Sequence, residues 1–358
     1  MASVQQRDDF SGDIASALLG HYDRHARDLP WRSPPGLPPP DPYRVWLSEV
    51  MLQQTTVAAV IGYFEKFTRR WPDFASLAAA DDADVMAAWA GLGYYSRARN
   101  LLKCARVVVA EHGGQLPANS AALAKLPGIG PYTAAAIAAI AFGERASVVD
   151  ANVERVVARL FAIETPLPAA KSEIRAAVDA ITPDYRPGDF AQAMMDLGAS
   201  LCSVRNPQCL ICPLQMHCAA QKAGIAETLP RKAAKKAKPD RAGTAFWIEQ
   251  DDHVWLVRRP DRGMLGGMRS LPDDGWNARA DGDSQPPFTA DWQAVAGEVA
   301  HVFTHFRLIL RLAATAAPVD ESRLPQGEWW PLKSLDSAGL PTLFSKAAKL
   351  AIRARQKI

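Results

Sequence analysis

Four cysteines, Cys202, Cys209, Cys212 and Cys218, stand in a C-x6-C-x2-C-x5-C array, and no other feature limits the possible folds as tightly. The first ~30 residues lack the basic start and apolar centre of an export signal. The thiols are therefore expected to be reduced and metal-binding rather than disulfide-bonded. Zinc is the main competitor, because a four-thiolate tetrahedron suits it, but zinc sites more often pair two C-x2-C hooks and only one is present. Ferredoxin spacings are tighter at the last interval or differently ordered, which argues against an exchangeable electron carrier. The spacing speaks first for an iron–sulfur cluster, then for zinc, then for free structural thiols. The fifth cysteine, Cys104, lies in an apolar helical pattern and is expected to be a buried small hydrophobe.

A chain of 358 residues with 48% apolar content has material for two or three domains, each with a core. No apolar run approaches the ~20 residues of a membrane span. A soluble, cytoplasmic protein, monomeric and without a membrane partner, is the expectation. The net charge of +3 does not by itself point to nucleic acid. The charge is nevertheless uneven: Arg231, Lys232, Lys235, Lys236 and Lys238 crowd one stretch before Pro239. That stretch reads as a solvated linker, with a phosphate-facing strap as the alternative.

The patterning divides the chain. Up to about residue 230, apolar positions recur with helical spacing, as in Phe10, Ile14, Ala17, Leu18 and Tyr22, and again over 44–67, 120–142, 151–163, 171–181 and 188–201. The proline-rich stretch Ser33–Pro42 predicts an extended loop. Beyond the linker the period falls to two: Val302, Thr304, Phe306, Leu308, Leu310 and Leu312 alternate with their neighbours, more loosely so over 244–258. A closing helix is expected near 341–355. The predicted organisation is a mainly α domain (1–228) that includes the cysteine loop 202–218, a basic linker (229–241), and a smaller α+β domain (242–358).

Leu126-Pro127-Gly128-Ile129-Gly130-Pro131-Tyr132-Thr133 joins two short helical segments. Its glycines permit a tight turn and Pro131 suits the first turn of the next helix. Free amides at that helix start form a seat for a DNA phosphate, so Gly128 and Gly130 are candidate DNA contacts; taken alone, a Gly-x-Gly turn is mostly structural. Glu49 sits inside an otherwise apolar helix, flanked by Val45, Trp46, Leu52 and Gln53. Partial desolvation there raises a carboxyl toward neutrality and fits it for general-acid work, against the bland reading of a solvated surface charge. Asp150 precedes a helix and reads as its N-cap, where the helix start favours the ionised form. Asn152 is a candidate for orienting a water, or simply an exposed residue of the first turn.

LPGIGPYTA, the following VVDANVERV and the cysteine array together resemble the helix-hairpin-helix DNA glycosylase superfamily of the endonuclease III type. Within it, VWLSEVMLQQT (Val45–Thr55), GLGYYSRARN (Gly91–Asn100) and QAMMDLGA (Gln192–Ala199) are similar to the adenine DNA glycosylases, the MutY family. This resemblance covers essentially the first 225 residues. It implies a two-lobed helical glycosylase domain with a [4Fe–4S] cluster on Cys202, Cys209, Cys212 and Cys218. It also implies that double-stranded DNA carrying adenine opposite 8-oxoguanine or guanine is the partner, and that the adenine is flipped into the enzyme for excision. By the same resemblance Glu49 protonates N7 and Asp150 stabilises an oxocarbenium-like sugar. Tyr132 stands where bifunctional members carry the Schiff-base lysine, which implies a monofunctional enzyme.

Gln54, Leu92 and Tyr94 are expected to probe the gap left by the flipped base, and Arg97 and Arg99 to hold the DNA backbone. RRPDRGMLGGM (Arg258–Met268) and FTHF (Phe303–Phe306) resemble the family's Nudix-like domain more weakly. Phe303, Thr304 and His305 match its lesion-recognition loop, with Thr in place of the usual Ser; the alternative is a plain strand. No acidic metal-binding helix follows Gly266-Gly267, which disfavours nucleotide hydrolysis. An endonuclease III-like lyase and a noncatalytic iron–sulfur damage sensor are the competing functions.

Overall fold

The structure, a computed structural model, describes residues 4–233, 238–260, 264–303, 305–315 and 320–355. It divides into two units, Met1–Ala234 and Lys235–Ile358. Among the described residues no helix is long and apolar enough to cross a membrane.

The first unit is helical: α1 (Val4–His25), α2 (Pro42–Leu52), α3 (Val57–Arg70), α4 (Phe74–Ala78), α5 (Asp82–Trp89), α6 (Ser96–His112), α7 (Ser120–Leu123), α8 (Pro131–Phe142), α9 (Ala151–Leu160), α10 (Lys171–Ile181), α11 (Pro187–Ser200) and α12 (Ala219–Lys222). The periodic stretch 44–67 is two helices rather than one. Gln54 adopts a left-handed φ of 60° and Thr56 restarts the chain by capping the amide of Ala59, so the pattern continues while its axis breaks.

Small residues set how close the central helices lie. A Cβ at Gly188 would meet the Ala139 carbonyl oxygen at 2.6 Å, and one at Gly198 would meet Asn152 Cβ at 2.6 Å. Both ends of α11 thus press backbone-close, one on α8 and the other on α9. These are the two helices whose N-termini carry Tyr132 and Asp150. Trp46 of α2, fully buried, packs against Phe74 with ring centroids 4.7 Å apart and fixes the rotation of α2 about its axis.

The second unit is a mixed sheet of β1 (Asp240–Gln250), β2 (His253–Arg258), β3 (Arg269–Ser270), β4 (Gln293–Val302), β5 (Arg307–Thr315) and β6 (Gly327–Pro331), with α13 (Thr342–Arg355) packed on it. The strand order is β3-β2-β1-β5-β4, with β6 also paired to β2. β1 runs parallel to β5 and the remaining pairs are antiparallel. Leu308, Leu310 and Leu312 alternate inward from β5, and Leu343, Phe344 and Ala347 of α13 close over the core.

The alternating stretch 301–312 is two strands rather than one, which excludes the plain-strand alternative for the segment that resembles a loop. Val302 ends β4 and Arg307 begins β5, and the Phe303 amide donates to the Phe306 carbonyl at 2.8 Å to close a hairpin turn. Period-two alternation simply continues through the turn, so it carries no sign of the reversal.

Candidate active site and thiol cavity

Glu49 lies on the α2 face that meets α8 and is 7% exposed. Its carboxyl is raised to about 7, chiefly by burial, with a hydrogen bond from Tyr132 pulling it down, the negative charge of Asp150 pushing it up and the charge of Arg32 pulling it down. Tyr132, on the first turn of α8, donates its hydroxyl to Glu49, and its own phenol is pushed well above the ordinary range, chiefly by burial. Gln53 Nε2 donates to Thr133 Oγ1 at 3.2 Å and straps the end of α2 to the start of α8. Two helices remote in sequence thereby hold one hydrogen-bonded pair.

Asp150 caps α9. Its Oδ1 accepts the Val153 amide at 2.7 Å, and its Oδ2 accepts Asn152 Nδ2 at 2.9 Å. Asn152 is in turn held from behind: its Oδ1 accepts Arg155 Nη2 at 2.9 Å. Arg155 also reaches the carbonyl oxygens of Cys202 at 2.7 Å and Gly198 at 2.6 Å. A chain of hydrogen bonds therefore runs from the capping carboxylate to the loop of cysteines. On the other wall, Asp196 of α11 accepts both Arg32 Nη atoms, at 2.7 and 3.0 Å, together with Arg27. Those two cations hold the Asp196 carboxyl below its ordinary range against its own burial.

All four array cysteines line one cavity with Val156, Leu160, Leu197 and Leu201. The Cys212 thiol is pushed up to about 11, chiefly by burial, against a backbone hydrogen bond at Leu214 and with the charges of Cys202, Cys218 and Cys209 contributing, so the sulfurs act on one another. Among the described residues no group of three or more His, Cys, Asp or Glu side chains meets at a point to hold a metal ion; the thiols are spread around the cavity instead. Arg159, 2% exposed, donates to Cys202 Sγ at 3.3 Å and to the carbonyls of Ser203, Leu229 and Val204 at 2.7, 3.0 and 3.3 Å. One buried cation beside four soft donors in an apolar wall is a donor set that fits a multi-iron cluster.

The hairpin glycines divide their work. Gly128 has φ 76° and a Cβ there would lie 2.7 Å from Asn100 Cβ, so both conformation and space require glycine. Gly130 has an ordinary φ of −86°, and a Cβ there would meet nothing within 4 Å. What Gly130 contributes is a bare approach to the start of α8, which has no side-chain cap and therefore leaves its first amides to an outside acceptor.

Of the expected gap-probing residues, Gln54 is exposed on its left-handed turn. Tyr94 is 62% exposed, with φ 47°. Leu92, only 6% exposed, instead joins the core beneath them. Arg99 is exposed. The reading of Arg97 as a DNA-backbone charge is corrected: it is 7% exposed and its Nη atoms donate to internal carbonyls and to the Thr55 hydroxyl.

In the second unit Phe303 stacks on Phe306 with centroids 4.8 Å apart, and His305 is exposed. Thr304 lies outside the described residues. Sequence reading missed Arg32, Gln53, Arg155, Arg159 and Asp196. Asp196 is an acid flanked by apolar residues in a mostly buried helix, the same signal that singled out Glu49; the two α9 arginines carry no such signal.

Residues 47–183 match the family described as HhH-GPD superfamily base excision DNA repair protein, and residues 244–350 match the NUDIX domain. The adenine DNA glycosylase of Homo sapiens is 32% identical over 404 aligned positions, covering 93% of this chain and 73% of that protein. That of Mycolicibacterium smegmatis is 40% identical over 225 positions, covering 63% of this chain and 75% of its own length. Among solved structures, a thermostable thymine-DNA glycosylase superposes with a TM-score of 0.54 at 30% identity, over 60% of this chain and 98% of that one.

Proposed function

The chain belongs to the adenine DNA glycosylase family of base excision repair enzymes, and from that premise we propose that it hydrolyses the N-glycosidic bond of adenine mispaired with 8-oxoguanine or guanine, without cutting the strand. The observation that carries the mechanism is a glutamate 7% exposed whose carboxyl is raised to about 7. A proton held at that value is available at neutral pH and is lost readily to a purine nitrogen.

Duplex DNA must first surrender the base. Uncapped amides at the start of α8 seat a backbone phosphate, while Gln54 and Tyr94 occupy the gap. Glu49 then gives its proton to N7 of adenine. The C1′–N9 bond breaks with its electron pair going to the base, and the cationic sugar is stabilised by the Asp150 carboxylate. Asn152, bonded to Asp150 and braced by Arg155, fixes the carboxylate's rotamer and orients the water that adds to C1′. The proton released by that water returns to the Glu49 carboxylate, and the cycle closes with free adenine and an abasic site.

Tyr132 carries no amine, so no Schiff base forms at its position; its hydroxyl steadies Glu49. The four cysteines hold a [4Fe–4S] cluster, which when bound supplies a rigid crosslink for the 202–218 loop and no step of the hydrolysis. Phe303, Thr304 and His305 read the damaged opposite base.

Single-turnover adenine release opposite 8-oxoguanine, guanine and thymine tests this reading. Release opposite the first two with no borohydride-trapped protein–DNA adduct is expected. A trapped adduct would make the enzyme a lyase. Binding without any release would make the protein a sensor.

A further inference from the structure

Between α2 and α6, Arg97 makes hydrogen bonds to two separate turns. Its Nη1 donates to the carbonyl oxygens of Met51 at 2.8 Å and Val50 at 3.2 Å, at the carbonyl end of α2 where a cation is favoured. Its Nη2 donates to Thr55 Oγ1 at 3.0 Å on the same side, and to the Leu92 and Gly93 carbonyls at 2.9 and 3.3 Å on the other. The guanidinium carbon lies 5.6 Å from the Tyr94 ring centre and 5.3 Å from that of Trp89. Trp89 Nε1 itself ties down the Gly93 carbonyl at 3.1 Å.

The two turns so joined each contain a non-glycine residue in the left-handed region, Gln54 at φ 60° and Tyr94 at φ 47°. Such a conformation persists only where surrounding bonds over-determine it. Arg97 supplies those bonds to both turns at once, and both residues present their side chains to solvent.

We propose that Arg97 is a positioning residue that locks the Gln54 and Tyr94 turns into one rigid unit, so that the two side chains enter a duplex at a fixed spacing. The planar five-donor fork explains why arginine occupies the position, since lysine cannot bridge two sets of carbonyls in one plane. The proposal rests on the reading of this chain as a base-flipping glycosylase.

The test is a double-mutant cycle read by extrusion of 2-aminopurine, a fluorescent stand-in for adenine, from a duplex opposite 8-oxoguanine. Arg97→Met keeps the stem and removes the fork. It is expected to slow extrusion more than about tenfold in the native background but less than about twofold in Tyr94→Ala, because the lock then has nothing to position. Equal factors in both backgrounds overturn the proposal and leave Arg97 a general stabiliser. If Arg97→Met does not fold, Arg97→Lys runs the same cycle: unequal factors support the lock and equal factors overturn it. A native enzyme that extrudes and releases adenine yet shows equal factors sinks only this proposal; one that does neither sinks the glycosylase reading.

Discussion

Glu49 is a buried acid, and the cavity beside α9 is lined by four half-buried thiols. For Glu49 and for Cys209, Cys212 and Cys218, removal from water is the first cause of raised proton affinity. The chemistry asked of the two sites runs in opposite directions. Glu49 is proposed to work because it keeps a proton near neutral pH and then gives it up. The cysteines are proposed to work as thiolates, and a metal centre must displace their protons outright. Their surroundings differ accordingly. Glu49 meets a neutral hydroxyl and a strap of amide and threonine, with Arg32 and Asp150 acting on it with opposite sign. The thiols meet Arg159, a cation that donates directly to sulfur. The same kind of burial is thus tuned by its neighbours into a proton store at Glu49 and a metal seat at the cysteines, with the Arg155 chain joining the latter to Asp150.

The comparison breaks first at Glu49. Glu49→Gln keeps the shape of the pocket and removes the proton, so single-turnover adenine release is expected to fall about a thousandfold with DNA affinity retained. A loss confined to affinity would make the pocket a binding site only. The same substitution should change stability in the opposite direction. With an unfolded value of 4.5 and a folded value of about 7, Glu49 carries no penalty below pH 4.5, a growing one as pH rises through that window, and its full penalty above pH 7. Chemical denaturation at pH 8 should therefore find Glu49→Gln more stable than the native enzyme, by up to ~3 kcal/mol. Equal stability would mean the carboxyl is less desolvated than the packing implies.

Asn152→Ala tests the link between the two regions. Freed from its partner, the Asp150 carboxylate loses its fixed rotamer, and release is expected to slow by about a hundredfold while iron content holds. Arg159→Met tests the other end: the brown iron–sulfur absorbance should bleach roughly tenfold faster under chelator, with little change in adenine release until the cluster is gone. Rapid loss of catalysis with the cluster intact would place Arg159 in the active site instead.

Much of this arrangement was legible in the sequence where a residue broke its local pattern. Glu49 in an apolar helix, Asp150 before a helical run and four cysteines in one short stretch each stood out against their neighbours. Residues that conform to their surroundings were silent. Arg155 and Arg159 fit a helix with mixed faces, and only packing against α11 and the cysteine loop shows that both point inward. Arg97 follows an exposed tyrosine pair and looked like a surface charge, because sequence does not reveal that the end of α2 turns its carbonyls toward it. Alternation alone gave no sign of the reversal between Val302 and Arg307, since a hairpin preserves the alternation of the strands it joins; only the likeness to a loop marked it.

The most direct test of the proton store is the pH dependence of single-turnover adenine release from a duplex with adenine opposite 8-oxoguanine, followed from about pH 5 to pH 9. The native enzyme should lose rate as pH rises through about 7, the value at which Glu49 gives up its proton, and Glu49→Gln should be slow and insensitive over the same range. A native profile that is flat or climbs across neutrality, or a Glu49→Gln enzyme that keeps the native profile, would contradict the assignment of Glu49 as the acid.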